Sequence, residues 1–167
     1  MRIRYSFSVL RYIHDPATQE FVNIGVALFS SDVKYLKAIC TQNYGRISQL
    51  FQKQLDGQKF RQLSRFIQDR IWAIGREYSE SLPFESLTGI DQILPMILPR
   101  DDSAIQFSRA GVGITEDLDA TLQELYERFV NRYAAQNIAR RSDDDVWKVF
   151  KEQLDRAQVT DRLRPKR

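Results

Sequence analysis

The chain has 167 residues, of which 43% are hydrophobic and 28% are charged, a composition that fits one folded domain with its own core and excludes a disordered chain. The formal net charge of +3 permits a nucleic-acid partner but does not require one. The single cysteine, Cys40, excludes an internal disulfide and is typical of the cytoplasm, and no apolar run approaches the ~20 residues of a membrane span, so we expect a cytoplasmic protein without membrane contact.

The first predicted elements are two strands that form a hairpin. Apolar residues alternate with polar ones over residues 2–13, and again over residues 21–30, which predicts two strands with one buried face each. Asp15-Pro16 lies between them and is a turn signal. The apolar faces of the two strands consist of Ile3, Tyr5, Phe7, Val9 and Ile13 and of Val22, Ile24, Val26 and Leu28.

The two apolar faces set the register of this hairpin. They lie on one side of the sheet when odd positions of the first strand face even positions of the second. A register with a loop of sensible length places Val9 opposite Ile24, Phe7 opposite Val26, and Tyr5 opposite Leu28. Arg11 and Glu20 then become diagonal neighbours, and we expect them to pair.

Gly25 and Asn23 interrupt the second strand. Glycine weakens a strand unless another element must come close or the strand must bend, so Gly25 indicates close packing or a bulge more strongly than a ligand site. Asn23 is expected to bond a backbone group of a loop or a helix end. Whether Arg11, Glu20 and Asn23 serve the fold or the function stays open.

The remaining elements follow in chain order. We expect a third strand at 33–41, a short helix at 46–55, a long helix at 59–78, a loop with a turn or two of helix at 81–102, and a fourth strand within 103–114. The long helix carries a stripe of apolar residues at helical spacing. Thr115 is the expected cap of the next helix, and Ser142 begins the last one. The stripe of the long helix is Phe60, Leu63, Ile67, Ile71, Ile74 and Tyr78.

These elements predict an α+β fold, with an antiparallel sheet of three to four strands covered by about four helices. We expect a single domain over residues 1–167, its sheet mainly in 2–41 and 103–114 and its helices mainly in 46–80 and 116–157. Basic residues crowd toward the end of the chain, and 158–167 is expected to be a flexible tail.

The long helix carries a basic, aromatic face opposite its apolar stripe, formed by Arg61, Arg65, Trp72 and Arg76. Three interpretations stay open. Arginines beside an indole can hold phosphates and stack on a base, they can anchor a protein partner, or they can simply be solvated, with Trp72 covered by a neighbouring segment.

Catalytic patterns are scarce in this sequence. One histidine and one cysteine exclude a His/Cys metal cluster, and no Gly-x-Ser-x-Gly or complete phosphate-binding loop is present. Glu20, Asp32 and Lys34 resemble the carboxylates and lysine of a magnesium-dependent nuclease, although aspartate is also common in turns. We expect no cofactor, no bound metal and, more readily than an enzyme, a binding protein.

Two stretches carry a resemblance to a known family. "SVLRYIHDPATQEFVNIGVALFS" and "IQFSRAGVGITEDLDATLQELYERFV" resemble an uncharacterised bacterial family, domain of unknown function 3037. The pattern positions here are Arg11, Glu20, Asn23 and Gly25. The resemblance implies no activity, but it implies a setting beside HipA-like kinases, and it implies that relatives extend further than this chain.

We therefore expect a non-catalytic protein-binding or regulatory module, with a HipA-like kinase or toxin system as its partner. The alternatives are a nucleic-acid-binding protein that uses the basic aromatic helix face and a magnesium-dependent nuclease. The sequence leaves the oligomeric state open.

Overall fold

The computed structural model describes residues 1–15, 17–50, 56–80, 87–98 and 104–132. These all fall in one compact unit, Met1–Ala135; a second unit, Gln136–Arg167, lies outside the described residues. The expected helix from Ser142 and the basic tail at 158–167 also lie outside them, and the single domain stays a prediction.

The described chain is an α+β structure, as predicted, with an antiparallel sheet of five strands. The strands are β1 (Ile3–Asp15), β2 (Glu20–Ser30), β3 (Tyr35–Cys40), β4 (Ile105–Phe107) and β5 (Gly111–Thr115). The helices are α1 (Gly45–Leu50), α2 (Gly57–Glu80), α3 (Leu94–Ile97), which follows a 3-10 turn at Ile90–Gln92, and α4 (Leu118–Tyr126), which continues into a π-helical turn at Glu127–Asn131.

The expected fourth strand is two strands, β4 and β5. Both pair with β1, at different ends of it. Ser108 lies between them, where its N–H donates to the carbonyl of Val9 at 2.8 Å and its hydroxyl accepts from the Val9 N–H at 3.0 Å. A side-chain oxygen therefore takes the place of a ladder carbonyl, which interrupts regular pairing.

Helices cover both faces of the sheet. Its strand order is β3-β2-β1-β4, with β5 also beside β1. One hydrophobic cluster joins the sheet to α2 and α3, and a second joins its other face to α4 and the π-helical turn. This arrangement explains why every residue from Ile24 to Ser30 is buried, since a strand inside such a sandwich has no solvent face.

β1, predicted with one buried face, is also covered on its other face. Ser6 and Ser8 are 8% and 0% exposed, and their hydroxyls are used. The Ser6 oxygen accepts from the backbone N–H of Ile90 at 3.0 Å, and the Ser8 hydroxyl donates to the Ser108 carbonyl at 2.8 Å. Buried hydroxyls with partners of this kind are compatible with a core.

The predicted hairpin register is wrong by two residues. Val9 lies opposite Val26 and Phe7 opposite Leu28. Side chains repeat every two residues along a strand, so up to Leu10 the slip of two leaves the faces as predicted, and the apolar pattern cannot detect it. The register shift after Leu10 changes the facing: Val22 and Ile24 lie in the cluster under α2, whereas Val26 and Leu28 lie in the cluster under α4, so the prediction that these four share one face is wrong. The last pair of the hairpin is Asp15 and Glu20.

Gly25 lies at a bulge, which confirms the packing interpretation. The register between β1 and β2 shifts after Leu10, which faces Gly25. A Cβ atom at Gly25 would lie 2.9 Å from the Cys40 Sγ and 3.0 Å from the Ile39 carbonyl oxygen. The glycine therefore lets β3 lie close against β2 at the point where β2 bends.

Two helix details differ from the expectations. Asp117, rather than Thr115, caps α4 by accepting from the Ala120 N–H at 2.9 Å, while Thr115 bonds the Asp117 N–H at 3.1 Å. Leu63 is 40% exposed and lies off the contact stripe of α2. The buried positions of α2 are Phe60, Ser64, Ile67, Ile71 and Gly75.

No helix within the described ranges is long and apolar enough to cross a bilayer.

Candidate functional site

Helix α2 closes the outer edge of β3 with side chains spaced four residues apart. The Ser64 hydroxyl donates to the carbonyl of Thr41 at 2.7 Å. The Gln68 Oε1 accepts from the N–H of Cys40 at 2.8 Å. The third of these side chains is an indole: the Trp72 Nε1 donates to the carbonyl of Ala38 at 2.8 Å. Three side chains on one helix stripe thus satisfy edge groups that would otherwise be open to another strand.

Gly75 brings the same helix against the beginning of β3. A Cβ atom there would collide with the Leu36 carbonyl oxygen, so only glycine allows this approach without a shift. Gly75 also places the next member of the four-residue series, Arg76, beside β3. Within the described chain the exposed Arg76 guanidinium makes no ion pair or side-chain hydrogen bond.

A groove of about 280 Å³ lies where α2 passes β3. We call it the α2–β3 groove. Trp72 forms part of its wall and is 43% exposed, although its N–H is held by β3. The described lining residues include three basic ones and none that is acidic: Lys34, Tyr35, Leu36, Lys37, Trp72, Gly75, Arg76 and Ser79.

One of these basic residues is already paired. The Lys37 Nζ lies 2.8 Å from Asp119 Oδ1, and the Tyr35 hydroxyl donates to the same oxygen at 2.8 Å. The hydrogen bonds from Lys37 and then Tyr35 lower the pKa of Asp119. Burial, and then the bond to Asp119, raises the pKa of Tyr35. Asp119 therefore ties β3 to α4. Lys34 also has an interaction within the protein, whereas the Arg76 guanidinium has no side-chain partner among the described residues.

The structure divides the predicted helix face. Trp72 and Arg76 lie together in the α2–β3 groove, whereas the Arg65 Nε donates to Gln42 Oε1 at 3.0 Å. Arg61 is exposed and lies roughly 22 Å from Arg76 along the helix at a rise of about 1.5 Å per residue. The four residues do not form one continuous site.

Arg11 and Asn23 lie directly opposite each other across β1 and β2. The Asn23 Nδ2 donates to the Phe129 carbonyl in the π-helical turn at 3.0 Å, so Asn23 does bond a helix-end backbone group, as expected. The Arg11 guanidinium carbon lies 4.2 Å from the centre of the Phe21 ring. Two buried atoms of this pair, the donor Arg11 Nε and the acceptor Asn23 Oδ1, have no hydrogen-bond partner among the described residues.

The predicted ion pair between Arg11 and Glu20 is wrong. Because of the two-residue slip, Glu20 lies opposite Asp15 at the exposed end of the hairpin. The position diagonal to Arg11 belongs to Phe21, whose ring takes the guanidinium through a cation–π contact.

The predicted nuclease residues are not brought together. Glu20 begins β2 and Asp32 lies in the turn just after its other end, so at a rise of about 3.3 Å per residue the two are separated by roughly the length of the strand, about 30 Å. Asp32 instead binds Arg4, whose Nη2 lies 3.1 Å from Asp32 Oδ1. No group of three or more His, Cys, Asp or Glu side chains that could hold a metal occurs among the described residues.

The stretch "AGVGI", Ala110 to Ile114, contains a Gly-x-Gly just before the helix α4, a weak signal for an anion site, but its glycines serve packing. Cβ atoms at Gly111 and Gly113 would collide with the rings of Phe7 and Tyr5, which lie across them from β1. Aromatic rings that cover cross-strand glycines stabilise a sheet. These glycines therefore belong to β5 rather than to a loop that cradles an anion.

Sequence reasoning missed Ser64, Gln68 and Gly75 as residues that shape the groove. Their signal was present, because these small or polar residues recur at spacings of four and seven residues on the stripe that faces the sheet. Such a stripe indicates a helix that packs on backbone rather than on side chains.

A family model described as "Protein of unknown function (DUF3037)" matches residues 7–130 of this chain, which is more than half of its length. The chain belongs to the DUF3037 family. The matched residues include the hairpin, the α2–β3 groove and α4 of this DUF3037 protein. No curated protein and no solved structure matches the chain.

Proposed function

We propose that this DUF3037 chain is a non-catalytic protein-binding module, and that the α2–β3 groove receives an acidic segment of another protein. The observation that carries the proposal is Arg76, an exposed guanidinium that has no partner in the part of the chain that the structure describes, beside the half-exposed indole of Trp72. Trp and Arg are enriched at the energetic centres of protein interfaces.

The chemistry of the partner follows from the lining of the groove. The described charged residues of the groove are all basic. A partner segment that brings Asp or Glu to the rim of the groove is therefore attracted to it electrostatically and associates with it faster. Its apolar wall, with Trp72 and Leu36, favours one apolar side chain between those acids.

The bonds from α2 to β3 determine how this partner binds. Because Ser64, Gln68 and Trp72 occupy edge groups of β3, the partner cannot add a strand there without displacing them. We therefore expect side chains of the partner, rather than its backbone, to make the contacts.

The test is a selection from a random displayed peptide library against the full chain. We expect enriched peptides in which Asp or Glu flanks a Leu, Ile, Phe or Trp. Enrichment is expected to disappear with Arg76→Glu and to persist with Arg61→Glu, a matched change on the same helix outside the groove. Enrichment that is equal in both variants, or selection of basic peptides, would overturn the proposal.

Nucleic-acid binding by the α2 face is the alternative proposal. It loses support because Arg65 bonds Gln42 and the Trp72 N–H bonds β3, and because Arg61 and Arg76 lie too far apart on α2 to form one compact patch. Binding of a mixed oligonucleotide that weakens steeply with salt would favour it. A HipA-like kinase, implied by the family resemblance, is a specific protein partner to test in the same binding assay.

A further inference from the structure

The two edges of the sheet differ in whether their backbone groups are covered by another element. At one edge, side chains of α2 bond the backbone of β3. The other edge is formed by β4 and β5, and among the described residues β5 pairs with β1 alone. An edge strand that no element covers is a template for another strand.

The exposed face of β5 is apolar. Val112 is 81% exposed and Ile114 is 63% exposed, and they point to the same side because they are two residues apart. The two glycines between and before them point to the other side, under the rings of Tyr5 and Phe7. The five residues of β5, Gly-Val-Gly-Ile-Thr, carry no charge, so nothing on the strand itself repels a second strand.

We propose that β5 pairs with β5 of a second copy of this chain, antiparallel and with Gly113 on the two-fold axis. A two-fold axis makes the same patch meet itself. In this register Val112 lies opposite Ile114 of the second copy, and Ile114 opposite its Val112. Two apolar cross-strand pairs then cover the side chains that are exposed in one copy.

Charges at the ends of β5 favour the same register. Arg109 precedes the strand and Asp117 follows it, each four residues from Gly113. Both are exposed, and the antiparallel arrangement brings Arg109 of one copy to the same end of the paired strands as Asp117 of the other, twice. A parallel arrangement would set like charges beside each other, so this complementarity selects a second copy in the antiparallel direction.

This surface is independent of the α2–β3 groove, because β5 and β3 lie at opposite edges of the sheet. A failure of one proposal therefore leaves the other untouched.

The first test is the mass of the full chain in solution by sedimentation equilibrium, over a range of micromolar concentrations. We expect twice the monomer mass for the wild type and the monomer mass for Val112→Lys, with an unchanged circular dichroism spectrum because Val112 is exposed. Phe66→Lys, which changes an exposed apolar residue of α2, is the control and should leave the dimer intact. A wild type that stays monomeric, or a dimer that survives Val112→Lys, overturns the proposal.

The register has its own test. Chains with Val112→Cys and chains with Ile114→Cys, mixed and oxidised, are expected to cross-link several-fold more than either variant alone, since the two positions face each other only between copies. Cys40 is buried and stays out of the reaction. Equal cross-linking in the mixture and in the separate variants contradicts the antiparallel register.

Discussion

At the scale of single residues, two positions show how close contacts and charges adjust this fold. Gly75 has no side chain where α2 meets the Leu36 carbonyl, and Asp32 joins the end of the β2–β3 turn to Arg4. Helix propensity would favour alanine at position 75, and surface exposure would suggest that the ion pair between Arg4 and Asp32 adds little to the free energy of unfolding. Each residue therefore allows a prediction in which local and tertiary effects oppose each other.

Gly75→Ala is expected to lower the free energy of unfolding by about 1–3 kcal/mol, because the added methyl group forces α2 away from β3. Helix propensity alone predicts the opposite, a gain of about 1 kcal/mol. Urea unfolding decides the sign. Gln62→Ala, on the exposed side of α2, is the matched control and should be neutral or slightly stabilising.

Asp32 makes stability depend on pH in the acid range. The hydrogen bonds from Arg4 lower the pKa of Asp32, so its stabilisation is present above the unfolded pKa of about 3.9 and is lost as the pH falls through the lower folded pKa. We expect Asp32→Asn to lower the urea midpoint at pH 7 and to match the wild type at the acid end of this range. A deficit of the same size at both pH values contradicts this assignment.

At the scale of elements, α2 is an edge cover as well as a core helix. The hydrogen bonds of Gln68 and Trp72 reach alternate backbone groups of β3. The helix therefore prevents edge-to-edge association at β3 and holds the wall of the α2–β3 groove in place.

Gln68→Met removes the acceptor for the Cys40 N–H while keeping the size of the side chain. We expect a loss of about 1–2 kcal/mol in the free energy of unfolding and faster hydrogen exchange at Cys40, measured by NMR. The matched change Gln62→Met should leave exchange of that amide unchanged. If Cys40 exchanges at the same rate in both variants, α2 does not seal the edge.

The sequence predicted elements whose signal is local. The alternation of apolar and polar residues revealed β1 and β2, and the recurrence of apolar residues every 3.6 positions revealed α2. The register escaped because a slip of two leaves Val9 and Phe7 on their face, and only the loop length and the bulge at Gly25 decide it. Of the residues that line the α2–β3 groove, the predicted helix face included Trp72 and Arg76 but not Gly75, because the position of Gly75 depends on a carbonyl distant in sequence.

At the scale of the whole molecule, the sheet is the middle layer between two sets of helices. Cys40 lies in the cluster under α2 and is 6% exposed, and burial raises the pKa of its thiol to about 12. Access to this residue therefore requires the layers to open.

Cys40 should report on that opening. At pH 8 we expect the native protein to react with a thiol reagent orders of magnitude more slowly than the same chain in 8 M urea, because both burial and the raised pKa withhold the thiolate. The absorbance of the released thiol measures the rate. Native and unfolded rates that agree would mean that the two layers do not protect the strand.

The most direct test of the account is an NMR titration of the full chain with an acidic peptide in which glutamates flank a single leucine. We predict saturable shifts of the Trp72 indole and of the amides of Tyr35, Leu36 and Lys37, weakened by salt and abolished by Arg76→Glu. Shifts confined to β5 or α4, with the Trp72 indole unmoved at saturating peptide, would contradict a docking site between α2 and β3.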